Sequence, residues 1–224
     1  MIRVKTGIPG LDRALNGGLI GSRCMHIVGT VGTGKSILAA QFLYMGAVEY
    51  GEPGVYLSLD EKPERIKENM LEFGWDFEKL ERQNRLRVDF FTPLEVQQYA
   101  RQESIAITNM IRSVNAKRFV VDTVSTFSLM FRGDYEKRLY ISKLVDEILK
   151  KGCTLLLLSD APYEQKPSII DVLADGLITL RIKEKGKKLV RTLEIVKMRG
   201  TLHLTGELPM EITTKGISVR PRPI

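Results

Sequence analysis

Eight consecutive residues carry most of the chemistry that this chain offers. Gly29, Thr30, Val31, Gly32, Thr33, Gly34, Lys35 and Ser36 fit the spacing Gly-x-x-x-x-Gly-Lys-Ser/Thr at every fixed position. Glycines at those places let successive backbone N–H groups converge on an anion, and a helix beginning at the end of the loop adds the positive pole of its dipole. A lysine directly after the last glycine reaches the outer phosphates of a nucleoside triphosphate, and the hydroxyl that follows can enter the shell of a Mg²⁺ ion. Ile37 completes the stretch expected to touch nucleotide. The alternative is a Gly-rich turn with no ligand. Context argues against it, because the apolar run Cys24 to Val28 precedes the octapeptide and Leu38, Phe42 and Met45 follow at helical spacing.

Acids at the ends of two other apolar runs supply what the loop lacks. Asp122 closes the run Phe119 to Val121, so its carboxylate emerges where ligands of parallel sheets bind and can hold Mg²⁺ opposite Ser36. The alternative is an aspartate that starts a turn into Thr123. Asp60 and Glu61 follow Val55 to Leu59 in the same way, and a carboxylate beside the γ-phosphate can orient and partly deprotonate the attacking water. They can equally serve only to charge the start of a helix near Pro63. On the residues alone these two readings stand level.

The elements that position these groups follow from the spacing of apolar residues. Thr6 to Gly21, with Ile8, Leu11, Leu15 and Leu19 among turn formers, reads as a packed lead-in. After the phosphate loop and its helix, Gly51 to Gly54 marks a stop, and Ile66, Met70 and Phe73 mark a helix from Pro63, a residue suited to a first turn. Leu86 to Phe91 is strand-like. Ile107, Met110, Ile111 and Val114 stripe one helix, and Ile141, Leu144, Val145 and Ile148 stripe another that Gly152 ends. Thr154 to Leu158 is a further continuous apolar strand. Runs that are apolar throughout need cover on both faces, which points to an α/β fold with a mostly parallel sheet flanked by helices. From Asp175 the helices cease, and Leu177 to Ile182, Leu189 to Val196, Met210 to Thr213 and Ile217 to Val219 read as an antiparallel extension. The sum is a single domain over residues 1–220, with the Pro-rich residues 221–224 as a flexible tail.

Composition narrows the function classes. The 224 residues leave room for one such domain and little for a second. Lys and Arg total 34 against 27 Asp and Glu, a net charge of +7 that favours polyanionic partners, phosphates first and nucleic acid second. The basic residues are spread along the chain, and the densest run, Lys183 to Lys188, contains Glu184 and reads as a solvated turn. Cys24 and Cys153 each open an apolar run, which suggests buried thiols, and no metal-ligand spacing is present. Met1 to Gly10 has no signal-peptide core, and no run approaches the ~18 apolar residues of a membrane span. The expectation is a cytoplasmic protein with no membrane partner.

Several separate segments, in order, resemble the KaiC-like ATPases of the RadA/RecA superfamily. They are Thr6-Gly7-Ile8-Pro9-Gly10-Leu11-Asp12, Asn16-Gly17-Gly18, the phosphate loop, Gln41-Phe42-Leu43, Gly51-Glu52-Pro53-Gly54-Val55-Tyr56, Phe73-Gly74-Trp75-Asp76, Leu173-Ala174-Asp175-Gly176 and Lys197-Met198-Arg199-Gly200-Thr201. The resemblance implies a RecA-like P-loop NTPase core, ATP and Mg²⁺ as cofactors, and a homo-oligomeric ring, usually a hexamer, with ATP between neighbouring copies. It makes Asp60 and Glu61 the counterparts of paired catalytic glutamates. Asp60 is one methylene shorter, so Glu61 is the better base and Asp60 its partner. Lys197-Met198-Arg199 resembles a basic finger that reaches the γ-phosphate on the adjacent subunit, and alternation along a strand puts Lys197 and Arg199 on one face. With Lys35 these residues form the catalytic set. Thr201, His203, Thr213 and Thr214 match positions near base and sugar, Thr214 standing where an Asp is common. His203 otherwise reads as an ordinary strand residue. Glu72 replaces a small polar residue of some members, and that role is not carried over.

The expected activity is ATP hydrolysis coupled to ring conformation. Three other outputs stay open. A recombinase-like motor handling single-stranded DNA needs basic or aromatic loops, for which Phe127 to Asp134, with Arg132, and Ala161 to Ile170, with Lys166 balanced by Glu164, are the candidates. A serine/threonine autokinase needs an acceptor hydroxyl, and a non-catalytic regulator needs a protein partner.

Overall fold

Leu155, Leu156, Leu157 and Leu158 explain the architecture. The odd-numbered pair packs into one hydrophobic cluster and the even-numbered pair into another, so one strand feeds cores on both faces of a sheet. Val55 and Leu57 divide from Tyr56 in the same way, and Phe119 and Val121 from Val120. The computed structural model describes residues 2–92, 94–96, 98, 105–126, 131, 133–160 and 168–221. Both candidate DNA loops fall largely outside the described residues.

Along the chain the elements are β1 (Arg3–Val4), α1 (Leu11–Ala14), β2 (Leu19–Ile20), β3 (Cys24–Gly29), α2 (Lys35–Glu49), β4 (Gly54–Ser58), α3 (Pro63–Leu71), α4 (Phe77–Arg82) and β5 (Leu86–Phe90). Then come α5 (Ile105–Val114), β6 (Arg118–Asp122), a 3₁₀ turn (Val124–Thr126), α6 (Asp134–Lys150), β7 (Thr154–Asp160), α7 (Ile169–Leu173), β8 (Gly176–Lys185), β9 (Lys188–Met198), β10 (Glu207–Thr213) and β11 (Gly216–Val219). The large sheet has the order β11-β10-β9-β8-β3-β7-β6-β4-β5. Pairing is parallel from β8 through β5 and antiparallel from β9 outward. This is the RecA-type arrangement, with one adjustment to the sequence reading. The strand at Leu177 to Ile182 belongs to the parallel body, since β8 pairs parallel with β3, and only its partner β9 turns the direction round.

Two further elements differ in detail. Phe73 lies past the end of α3, where its ring stacks on Trp75 at 4.9 Å between centroids. The lead-in contains a small antiparallel sheet, β1 with β2, and is pinned by Asp12, whose carboxylate accepts from the Thr6 N–H at 2.7 Å and the Thr6 hydroxyl at 2.8 Å. The two cysteines are free and buried, as their apolar neighbours imply, and burial raises the Cys153 thiol to about 11. Among the described residues no helix is long and apolar enough to cross a membrane.

One buried charge ties the phosphate-loop helix to the sheet. Arg118 opens β6 with no exposed surface, and its guanidinium lies under the last turns of α2. It donates to the Phe42 carbonyl at 2.6 Å and to Glu52 Oε2 at 2.7 Å, and sits 4.4 Å from the centre of the Phe42 ring. Gly46 makes room, since a Cβ there would stand 2.5 Å from the guanidinium. Burial draws the Arg118 pKa down, and the Glu52 carboxylate opposes that. Removing Glu52 strands a cation in the core. Glu52→Ala is expected to lower the unfolding free energy by about 2–3 kcal/mol, the low side for a buried pair because Glu52 is partly open to water. Urea unfolding followed by Trp75 fluorescence measures it.

Candidate functional site

The octapeptide forms a loop between β3 and α2. Thr33 is fully buried, and its hydroxyl donates to the Thr30 carbonyl at 2.8 Å, closing the loop on itself. Gly34 has φ +101°, a backbone conformation that requires glycine, and a Cβ there would also press within 2.7 Å of the Ile212 Cδ1 methyl. α2 starts with no side-chain cap and no acidic residue in its first turn. Its first N–H groups and dipole are therefore left for an anion. Val31 stands at the exposed tip.

Lys35 is buried at the head of α2, with its ammonium 2.7 Å from Asp160 Oδ1 and 3.0 Å from the Thr30 carbonyl. Asp160 is a site residue that sequence reasoning missed. It ends β7 directly beside Gly29 of β3, an acid closing an apolar strand just as Asp122 does. The continuous apolar run stops at Leu158, but the strand goes on two residues to Asp160. Asp160 neutralises the lysine, so it competes with a phosphate for the same ammonium.

The other acids reach the same edge. Ser58 of β4 pairs with Asp122 of β6, so Asp60 and Glu61 emerge just beyond Asp122. Asp122 is raised from its ordinary pKa, first by burial, while hydrogen bonds from Tyr56 and Ser36 and the nearby Lys35 charge pull the other way. The Tyr56 hydroxyl donates to Asp122 Oδ2 at 2.5 Å. Tyr56 was also missed, being hidden inside an apolar strand. A half-buried carboxylate against a serine hydroxyl is a hard-oxygen pair, the donor set suited to Mg²⁺. Asp60 accepts from the Thr126 hydroxyl at 2.6 Å. Glu61 lies 2.9 Å from Arg65 Nε, one turn into α3, and accepts from Asn69 at 3.5 Å.

The remaining candidates divide into two groups. Thr213 and Thr214 follow Ile212, the residue packed on Gly34, and so belong to the loop edge. Lys197, Arg199, Thr201 and His203 lie at the opposite edge. Met198 pairs with Gly176 and Gly176 with Met25, whereas the loop begins at Gly29. Lys197, level with His26, is three residues or about 10 Å short of Gly29 along the strands. Its ammonium donates to the carbonyls of Asp171 at 2.8 Å and Ala174 at 2.6 Å, and Arg199 Nη2 donates to the Val172 carbonyl at 3.1 Å. Both cations thus fold onto α7. They stand on the same side of the sheet, since the bulge in β9 at Val196 precedes both and α7 receives both. The Met198 side chain packs in the core, which leaves its backbone for any contact with nucleotide. Thr201 accepts from Arg3, and His203 holds a buried Nε2 with no partner and a pKa lowered by burial.

With this geometry in place, the comparisons are specific. Residues 4–224 match the family described as "ATPase: KaiC". The chain belongs to the KaiC ATPase family. It is therefore an ATP-binding protein of an ATPase family. A UPF0273 protein of Methanocaldococcus jannaschii is 35% identical over 99% of this chain and 97% of its own length. The circadian clock oscillator protein KaiC of Synechococcus elongatus is 32% identical over 98% of this chain, which spans 44% of that longer protein. The crystal structure of a KaiC-like protein from Pyrococcus horikoshii superposes with a TM-score of 0.88 at 37% identity, covering 98% of this chain and 99% of the other. The KaiC-type fold is thus shared across nearly the whole length.

Lys35 and Asp160 give a paired test of the loop in this KaiC-family protein. Lys35→Ala is expected to weaken ATP binding on the order of 10²-fold, the loss of a buried charge partner. Asp160→Asn is expected to bind ATP as tightly as the parent or more tightly, because the competing carboxylate is gone. Titration calorimetry of the two folded variants checks both.

Proposed function

We propose that the protein hydrolyses Mg²⁺-bound ATP at a site shared between neighbouring copies in a ring. The loop, Asp122, Asp60 and Glu61 come from one copy, and Lys197 and Arg199 from the next. One observation carries this reading: the loop and the two cations stand at opposite edges of the same sheet, so no side chain of Lys197 or Arg199 spans the distance to its own loop. Head-to-tail contact brings unlike edges together, and closure of such contacts makes a ring, six copies being the number that the KaiC resemblance implies.

The roles follow from position. The backbone N–H groups of Gly32 to Lys35 and the Lys35 ammonium hold the β- and γ-phosphates. Ser36 and Asp122 hold Mg²⁺, which supplies charge neutralisation between those phosphates when bound. Glu61 leaves Arg65 to accept a proton from the attacking water, and Asp60, fixed by Thr126, orients it. Arg199 of the neighbour stabilises charge on the transferring phosphoryl group, with Lys197 beside it. Thr213 and Thr214 lie on the loop side of the nucleotide, and Thr201 and His203 on the neighbour's side.

Glu61→Gln keeps the shape and removes the base, so turnover is expected to fall about 10²-fold or more with ATP affinity unchanged. Normal turnover in Glu61→Gln, with loss in Asp60→Asn, transfers the role to Asp60. Arg199→Ala is expected to lose on the order of 10³ in rate while still binding ATP. Mixing Arg199→Ala with Lys35→Ala chains is the test of sharing: an intact loop then meets an intact finger, and part of the activity returns. Two variants that stay inactive together in proven mixed assemblies refute the shared site.

A further inference from the structure

His26 interrupts an otherwise apolar buried strand. It is 2% exposed and both ring nitrogens are engaged, Nδ1 at 2.7 Å from Asp171 Oδ1 and Nε2 at 2.6 Å from Ser159 Oγ. Burial pushes the Asp171 carboxyl up, but hydrogen bonds from His26 and Ser168 outweigh it and hold the group below its ordinary value. A carboxylate only accepts, so Nδ1 carries the proton that reaches Asp171, and Nε2 shares a hydrogen bond with the Ser159 hydroxyl. Three buried side chains from β7, β3 and α7 form one continuous chain. An apolar side chain would fill the His26 position without desolvating an imidazole, so the chain buys a defined arrangement rather than stability.

Each end of this chain meets a part of the proposed site. Ser159 precedes Asp160, the carboxylate that holds Lys35, and the Asp160 N–H donates to Ser125 at 2.8 Å in the turn that also presents Thr126 to Asp60. Asp171 lies in α7, and its own carbonyl, with those of Val172 and Ala174, holds Lys197 and Arg199. Asp171 also locks α7 through a reciprocal pair of bonds with Ser168. The cations are therefore parked on α7 while Lys35 is paired with Asp160.

We propose that Ser159, His26 and Asp171 are positioning residues that couple occupancy of a copy's own phosphate loop to the placement of Lys197 and Arg199, which that copy extends to its neighbour. This rests on the shared-site reading above. Phosphates that engage Lys35 displace Asp160 from it. The end of β7 then shifts, Ser159 moves against His26, and Asp171 carries the change to α7, which releases the two cations.

Hydrogen exchange read by mass spectrometry tests the coupling on the assembled protein with Mg²⁺ and a non-hydrolysable ATP analogue. In the wild type, residues 29–36 are expected to gain protection and residues 169–175 to change their exchange rate. Ser159→Ala is expected to keep the first effect and lose the second, and His26→Val to behave alike. Loop protection with no change at 169–175, or the same change in Ser159→Ala, overturns the relay. A mixed assembly tests the direction. Glu61→Gln chains bind ATP and lend fingers, while Arg199→Ala chains lend loops. Ser159→Ala placed in the finger-lending chain is expected to cut the recovered turnover about tenfold, and in the loop-lending chain to leave it unchanged. Equal loss in either chain marks a merely structural role and overturns the proposal. No recovery in the parent mixture overturns the shared site itself, a result separate from the exchange data.

Discussion

Parallel pairing forces β8, β3, β7, β6, β4 and β5 to finish at one edge, and everything chemical in the protein depends on that common direction. Gly29, Asp122 and Asp160 terminate three of these strands, and Ser58 leads from a fourth to Asp60 and Glu61. No single long-range contact has to gather them. Hydrogen-bond register does so, and the same register fixes where the group can no longer be completed. β9 runs the other way, so its end delivers Lys197 to the far edge.

Polar groups inside the sheet refine this frame at a cost that apolar packing would avoid. Arg118 fastens the later turns of α2 to β6 by donating to a helix carbonyl and to Glu52. Tyr56 places its hydroxyl on Asp122 from within the core. His26 bridges β7 and α7. Each engages partners inside the core, and each links the sheet to a residue that handles charge.

How legible these features were from sequence depends on whether their cause is local. Gly34 and Lys35 announce themselves because phosphate binding demands a glycine conformation and a cation at a fixed spacing. Asp122, Asp60 and Glu61 were legible because an acid after an apolar run marks the end of a parallel strand. Asp160 obeys the same rule and was passed over when the strand was ended at Leu158. Tyr56 and His26 look like ordinary occupants of apolar runs, and their meaning lies in partners far along the chain. β8 illustrates the limit for topology: alternation identifies a strand but does not name its neighbour, so its parallel pairing with β3 had no local signal. Thr201 and His203 shared one assignment with Thr213 and Thr214, yet the fold sends the pairs to opposite edges.

Placing complementary halves at opposite edges gives each copy a polarity. Under the shared-site reading, a row of copies completes one site fewer than it has members, since the last loop lacks a donor. Closing the row supplies the missing donor and removes the only pair of unlike ends, so completeness of the chemistry and closure of the assembly become the same event. A defective finger then silences its neighbour's site and not its own, and damage in one chain is read out in another.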